Sequence, residues 1–288
     1  PILLIFLRII QGISAGGEWG GAVLMAVEHA PVEKRGLFGS FPQIGVPLGL
    51  LLASAVFALM SGVISPGEAF VEWGWRVPFL LSIGLLFFGH WIRRTVEESP
   101  IFEEIKERKL GTKAPVLLLF KNHSLLVLLA ALMFAGNSAL GYMTTGGFIQ
   151  NYTTDPNGLI RMERTPVLIA VTISAATWMF FTWFAGYISD KIGRKNIYLI
   201  GWAVQFIGVF TLFPLINMGT WGSILAALTL LSIGIGLTYG AQSAFYAELF
   251  PASIRFSGVS ISYAIGAIIG GAFAPMIAAW LIAATGST

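Results

Sequence analysis

The sequence has 288 residues, of which 56% are apolar and only 11% are charged, with a net charge of +3. About a quarter of the residues of a soluble domain are charged, and apolar runs of about 20 residues are typical of membrane spans, so a water-soluble fold is excluded. The small basic excess is typical of cytoplasmic loops and predicts no nucleic-acid partner, while the absence of cysteine excludes disulfides and thiol chemistry.

Eight membrane-spanning helices are predicted from apolar runs that end at charge clusters, which makes the fold class an all-α membrane protein in a lipid bilayer. Residues 1–92 hold three helices, residues 93–123 form a linker with a short amphipathic helix, and residues 124–288 hold five helices. Because the chain is already apolar at its first residues, we expect it to be part of a longer protein. The predicted helices cover roughly residues 1–29, 41–63, 75–92, 124–150, 167–189, 197–216, 221–248 and 258–284.

The distribution of basic residues predicts the orientation of the chain. Most of the 17 Lys and Arg residues fall in alternate connections, including the linker 93–123. The positive-inside rule makes these connections cytoplasmic and places both ends of the chain on the extracytoplasmic side. The predicted location is the plasma membrane, which is the inner membrane of a bacterial cell.

An internal repeat with an offset of 220 residues links the beginning and the end of the sequence. Small residues agree at the same offset, with Gly16 on Gly236 and Gly20 on Gly240, and such residues are expected to pack helices closely. Duplicated and fused halves are typical of membrane transporters. The matching pairs are Glu28 and Glu248, Pro31 and Pro251, Arg35 and Arg255, and Ser40 and Ser260.

Two motifs carry a resemblance to a known family. The segment Gly-Tyr-Ile-Ser-Asp-Lys-Ile-Gly-Arg-Lys at residues 186–195 resembles the loop signature of the major facilitator superfamily. Arg8, followed by Gln11 and Gly12, resembles the motif of that superfamily's fourth helix. Together they place the chain at about helices four to eleven of twelve.

Further segments are similar to the metabolite:proton symporters within that superfamily, nearest the shikimate-type members. These segments are Gly-Gly-Glu-Trp-Gly-Gly at 16–21, Trp-Arg-Val-Pro-Phe at 75–79, Glu-Glu-Ser-Pro at 97–100, and Glu-Leu-Phe-Pro at 248–251. The resemblance implies two helical bundles, the first ending at residue 92 and the second comprising 124–288. It also implies import of a small organic acid with protons by a protein without a cofactor, which we expect to be a monomer.

The first helix carries a polar stripe that predicts part of a binding site. An unpaired Arg within a membrane span is costly, so Arg8 is expected to face a cavity or a counter-ion. At 100° per residue, Arg8, Gln11 and Glu18 share one face. Arg8 and Gln11 would bind a substrate carboxylate, and Glu18 would take or relay the proton. The alternative is an Arg–Glu pair that only holds helices together.

Other polar residues within the spans could also line a cavity, namely Gln43, Asn137, Tyr142, Tyr239 and Gln242. Among them, Asn137, Tyr142 and Gln242 are favoured as substrate ligands, because a helix break is expected between residues 136 and 147 and because Gln242 lies in the repeat mate of the Arg8 helix. Interhelical hydrogen bonding is the alternative for each.

The resemblance also implies a cytoplasmic gate. In it, Arg194 meets Glu248, and Asp190 faces the amino end of the second span near Gly39 and Ser40, where free N–H groups favour an anion. Glu28 is expected to lack its equivalent Arg. Lys191 and Arg255 complete the predicted set, and the alternative is that these charges only set the topology.

No enzyme is predicted, because the sequence shows no nucleophile–base pair and no metal-ligand spacing around its three histidines, so no catalytic or metal site is assigned. Two alternatives to an importer stay open at this point. One is a drug or metabolite:proton antiporter, and the other is a non-transporting sensor that keeps the same fold.

Overall fold

In the residues that it describes, a computed structural model of the chain consists of helices joined by short turns and loops. These residues are 2–95, 99, 103–104, 107, 114–144 and 147–285, without the side chains of 8–9, 13–16 and 93.

The structure has ten α-helices in its described residues, and short turns of other helix types extend several of them. A 3₁₀ turn, Val32–Lys34, precedes the second helix, and wider π-type turns occupy Met60–Ile64, Phe70–Gly74 and Ile268–Ala272. The α-helices are α1 (Ile2–Glu28), α2 (Arg35–Leu59), α3 (Arg76–Thr95), α4 (Pro115–Thr144), α5 (Phe148–Thr154), α6 (Arg164–Ile192), α7 (Arg194–Ile216), α8 (Trp221–Leu249), α9 (Arg255–Ala267) and α10 (Ala274–Thr285).

Eight helical segments of the described chain are long and apolar enough to cross a membrane, which confirms the predicted number of spans. The segment α4–α5 counts as one of them and α9–α10 as another. Several helices begin earlier than predicted, and the difference is largest for α2, which starts at Arg35 rather than 41, and for α4, which starts at Pro115 rather than 124. Charged residues at a span end stay solvated and do not stop a helix, so a boundary drawn at a charge cluster falls too late.

The break predicted between residues 136 and 147 falls at the end of that range. Helix α4 runs without interruption past Gly136 and Gly141 to Thr144, and the chain turns at Gly147, whose φ of 100° suits glycine. A separate irregularity occurs at His123 within α4, where φ is −133°. Most of the predicted linker, with its amphipathic helix, lies outside the described residues.

Helix α8 lies at the centre of the fold and is the most deeply buried of the spans that the structure describes. It packs along α6 on one side and α7 on the other. Gly236 and Gly240 face the α6 backbone at Trp178 and Thr182, where an added Cβ would collide with carbonyl oxygens. The predicted role of these two glycines in close helix packing is therefore confirmed.

The helices before the linker pack against the helices after it. Helix α2 packs against α6 and α8, and α1 packs against α9. Arg35 and Arg255, which the repeat aligns, are each the first residue of a helix, and Glu28 and Glu248 each lie at the end of one. Helix α3 lies at the edge, where large apolar side chains such as Leu85 and Phe87 are 71% and 73% exposed, as on a surface that faces lipid.

Candidate functional site

A cavity of about 390 Å³ lies between α2 on one side and α4, α6, α8 and α9 on the other. Its wall is mostly apolar and aromatic, with a few polar groups, as in sites for small molecules. The lining residues are Val46, Leu50, Phe134, Asn137, Ser138, Gly141, Tyr142, Trp178, Ile235, Tyr239, Tyr263 and Ala267. Of the predicted substrate ligands, Asn137 and Tyr142 are in this wall.

The amide of Asn137 is fixed by two neighbours. Its Oδ1 accepts hydrogen bonds from Gln205 Nε2 and from Thr238 Oγ1, each at 2.8 Å. Gln205 Nε2 also donates to the carbonyl of Gly234 at 3.0 Å, which fixes the Gln205 side chain in turn. Because Asn137 Oδ1 is bound in this way, its Nδ2 group is the one that stays without a partner. Sequence analysis missed Gln205, although it is the single amide in the apolar run 197–216.

A second donor of the cavity wall is also unpaired. Trp178 Nε1 is buried and has no hydrogen-bond partner in the structure. The described wall thus holds two buried N–H donors without acceptors, at Asn137 and Trp178, and none of its residues is an Asp or Glu. Both N–H groups are themselves buried, so a ligand that carries acceptor oxygens would pair with them only after each side chain turns toward the cavity.

Among the other predicted substrate and proton residues, those whose side chains the structure describes do not line this cavity. Gln242 is fully buried on α8, and neither of its amide atoms has a partner. Gln11 and Glu18 are exposed on α1, and each has an interaction within the structure. The side chain of Arg8 lies outside the part of the chain that the structure describes.

One end of the bundle holds a cluster of charges, here called the charged end: Glu28, Asp190, Arg194, Glu248 and Arg255. Arg194 contacts Asp190 at 2.7 Å and Glu248 at 3.4 Å, so the expected contact between Arg194 and Glu248 is present. The Asp190 carboxylate accepts hydrogen bonds from two backbone N–H groups at the start of α2.

Those two N–H groups belong to Gly36, at 2.8 Å, and Leu37, at 2.9 Å. The expectation had placed Asp190 near Gly39 and Ser40, and the difference arises because α2 begins earlier than predicted. The chemistry is the expected one, an anion at a helix amino terminus.

Glu28 has a cation partner that the sequence analysis did not foresee. Arg255 Nη1 lies 2.9 Å from Glu28 Oε1, and Ser99 Oγ donates to the second carboxylate oxygen. Arg255 Nε also donates to the carbonyl of Phe250 at 3.2 Å, which holds the guanidinium in place. Lys191 is not part of this network, since its Nζ contacts the Tyr187 hydroxyl at 2.6 Å instead.

Within the described residues there is no group of three or more side chains suited to hold a metal ion. The fold and the cavity define a multi-pass helical membrane protein with a solute-sized space between two repeat-related halves. Residues 1–275 match the family model described as Major Facilitator Superfamily, and the chain belongs to this superfamily, whose members are transporters rather than enzymes.

The relatives of the chain are metabolite transport proteins. It is 37% identical over 283 residues to the inner membrane metabolite transport protein YhjE of Escherichia coli, covering 98% of this chain and 64% of that protein. It is 34% identical to the shikimate transporter of the same organism, with the same two coverages. The chain thus spans about two thirds of the length of these relatives.

A solved structure with the same fold is the proton:xylose symporter XylE bound to 6-bromo-6-deoxy-D-glucose. The TM-score is 0.65 at 20% identity, and the match covers 91% of this chain and 62% of XylE. At this identity the likeness shows the fold alone.

Proposed function

We propose that the full-length protein is a secondary active transporter that imports a small organic acid together with protons across the inner membrane. The observation that carries this proposal is the pair of unpaired buried donors in the cavity wall, Asn137 Nδ2 and Trp178 Nε1. Once turned toward the cavity, both groups would donate to a carboxylate or hydroxyl oxygen of a bound solute, while a cation would leave them unpaired. The relatives support the class of solute, because one of them is named a shikimate transporter and shikimate is a hydroxylated ring acid.

The charged residues of α1 complete the proposed site. Arg8 would offer its planar guanidinium to the substrate carboxylate, with Gln11 one turn further along the same face. Glu18 would accept or relay the coupled proton. Gln242 would join the ligands only when the bundle opens, since it is buried outside the cavity here.

The charged end is proposed as the cytoplasmic gate. Asp190 bonds to the start of α2, and Arg255 bonds to Glu28 at the end of α1, so each contact joins the two sides of the linker. The pair of Arg194 and Glu248 ties α7 to α8 beside them. These contacts would break when the cavity opens to the cytoplasm. Lys191 would enter the network only in another conformation.

Uptake into cells or vesicles that contain the full-length protein tests the function. A panel of radiolabelled carboxylates, with shikimate among them, is offered with an inward proton gradient and again with a protonophore. We expect gradient-dependent accumulation of at least one acid, and a lower uptake in an Arg8→Lys variant, because Lys keeps the charge but loses the planar fork. The matched control is Arg161→Lys, in an exposed loop. Gradient-driven efflux instead of uptake would identify an antiporter, and no movement of any solute would favour a sensor.

A further inference from the structure

Four residues form a closed ring of contacts at the wall of the cavity, which two of them, Tyr239 and Tyr263, also line. Trp19 Nε1 donates to Gln43 Oε1 at 2.8 Å, and Gln43 Nε2 donates to the backbone carbonyl of Tyr239 at 3.2 Å. The Tyr239 hydroxyl shares a hydrogen bond of 3.1 Å with that of Tyr263. The Tyr263 ring stacks on the Trp19 ring with centroids 3.7 Å apart, which closes the circle. Trp19 and Tyr263 carried no prediction from the sequence.

The repeat relates the members of this four-residue ring to one another. The 220-residue offset places Trp19 on Tyr239 and Gln43 on Tyr263. The hydrogen bond between Trp19 and Gln43 is therefore equivalent to the one between Tyr239 and Tyr263, each within one half. The two contacts between halves, the Trp19–Tyr263 stack and the Gln43–Tyr239 bond, are likewise equivalent to each other.

This pattern fixes where the four-residue ring lies. The two halves of this superfamily are related by an axis along the membrane normal. Rotation about this axis exchanges the two contacts between halves, so they lie on opposite sides of the axis. The four-residue ring therefore surrounds the axis, which is also the line that a solute would follow. Its members are eight or nine residues from Glu28, Arg35, Glu248 and Arg255 along their helices, which is about 12–14 Å from the charged end.

Two members of the four-residue ring are buried, which favours a closed path at this point. Gln43 is fully buried, Tyr239 is 3% exposed, and both tyrosines also line the cavity. A solute in the cavity would rest on Tyr239 and Tyr263. To leave toward the charged end it would need the two contacts between halves to break, while the two contacts within halves stay intact.

We propose that Trp19, Gln43, Tyr239 and Tyr263 form a second gate, at the floor of the cavity, which opens by breaking only the Trp19–Tyr263 stack and the Gln43–Tyr239 hydrogen bond. The proposal rests on the transport function proposed above. The stack and the hydrogen bond differ in chemistry, but the repeat makes them equivalent. In this proposal both therefore have the same role, which is to hold the gate closed.

A labelling experiment on the full-length protein tests this gate without a substrate. Ser243 is fully buried next to Gly39, on the charged-end side of Tyr239, and the chain itself contains no cysteine. A Ser243→Cys reporter, with any cysteine outside this chain replaced by serine, is alkylated with N-ethylmaleimide in inside-out vesicles. Gln43→Leu and Tyr263→Leu each remove one contact between halves, and we expect each to raise the labelling rate about threefold to tenfold.

Two matched variants separate the gate from a general loss of stability. Tyr263→Phe keeps the stack and removes only the hydroxyl pair within one half, so its labelling rate should stay at the parent value. Phe213→Leu removes a half-buried ring that packs on Tyr152 away from the path, and it should also leave the rate unchanged. Parent rates in both leucine variants at the ring, or an equal rise with Phe213→Leu, would overturn the proposal.

Gln43→Leu and Tyr263→Leu change different helices, so if one variant does not reach the membrane, the other still tests the gate. Trp19→Leu is a third variant, which removes the same stack as Tyr263→Leu. Labelling needs no solute, so a failure of the uptake panel would not change the labelling result. Conversely, parent labelling rates in the leucine variants would overturn the gate and would not bear on the transport proposal.

Discussion

The guanidinium of Arg255, the first residue of α9, lies 2.9 Å from the carboxylate of Glu28, the last residue of α1. The two residues are 227 positions apart and belong to opposite halves of the repeat. Their repeat mates are Arg35 and Glu248, which do not form the equivalent pair, since Arg35 Nε has no hydrogen-bond partner and Glu248 is bound by Arg194. The ion pairs at the charged end therefore differ between the two halves, although the repeat aligns the same residue types there.

Glu28→Gln tests the energetic weight of this pair. Both side chains are mostly buried, at 9% and 20% exposure, and the loss of a charge-assisted hydrogen bond at such a site costs about 1.5–3 kcal/mol. We expect a lower midpoint of thermal unfolding in detergent, because Arg255 then stays mostly buried without its counter-ion. Lys195→Gln, exposed at the same end of the bundle, is the control. An unchanged midpoint in Glu28→Gln would show that the pair adds nothing to stability.

Asp190→Asn tests the proposed cytoplasmic gate. The substitution removes the negative charge from the start of α2 and the ion pair with Arg194, so the closed state loses stability. We expect the initial uptake rate of the transported acid to fall about tenfold, since one state of the cycle is lost. Asp155→Asn is a matched control, because Asp155 also accepts a backbone N–H bond but in an exposed loop. Parent uptake rates in Asp190→Asn would remove Asp190 from the gate.

Gln205→Leu tests the fixation of Asn137. Without Gln205 Nε2, the Asn137 amide keeps only the hydrogen bond from Thr238 and is no longer held in one orientation. The expected result is a KM for the transported acid raised by about twofold to tenfold at little cost in maximal rate, which corresponds to one neutral hydrogen bond. Ser232→Ala, at a buried hydroxyl of α8 that has no partner, controls for a change in the buried core. A raised KM in Asn137→Ala together with a normal KM in Gln205→Leu would show that Asn137 needs no fixation.

Glu18→Gln separates proton coupling from substrate binding. If Glu18 carries or relays the proton, the variant should lose uphill accumulation of the acid and retain exchange of labelled for unlabelled acid, because exchange needs no net proton movement. The two assays are run on the same vesicles, with Glu163→Gln in an exposed loop as the control. Equal loss of accumulation and exchange would mean that Glu18 binds substrate or holds the structure.

The number of spans could be predicted because apolar runs of this length have only one stable setting, the bilayer. The start of α2 could not be placed by the same rule, since Arg35 is compatible with both a loop and the first turn of a helix. That error moved the expected partners of Asp190 from Gly36 and Leu37 to Gly39 and Ser40. The number of elements follows from composition, whereas their ends depend on local contacts.

Contacts between halves were only partly accessible from the sequence. The contact of Arg194 with Glu248 followed from the family resemblance, and the structure has it. The pair of Glu28 and Arg255 did not follow, because a repeat aligns equivalent residues and does not say which residue of one half touches which of the other. Trp19 and Tyr263 could not be singled out among 9 Trp, 22 Phe and 7 Tyr residues, since a membrane protein uses such side chains throughout.

The crossing of α2 and α6 consists of small residues on both helices. Gly36 lies against Ser189 and the carbonyl of Gly186, and Gly186 lies against Ser40 and the carbonyl of Gly36, so the two backbones touch with no long side chain between them. The N–H of Gly36 also donates to the Asp190 carboxylate at 2.8 Å, so this close crossing lies at the charged end. A side chain at either glycine would hold α2 and α6 apart, so the proposed cytoplasmic gate can close only where both positions lack a Cβ.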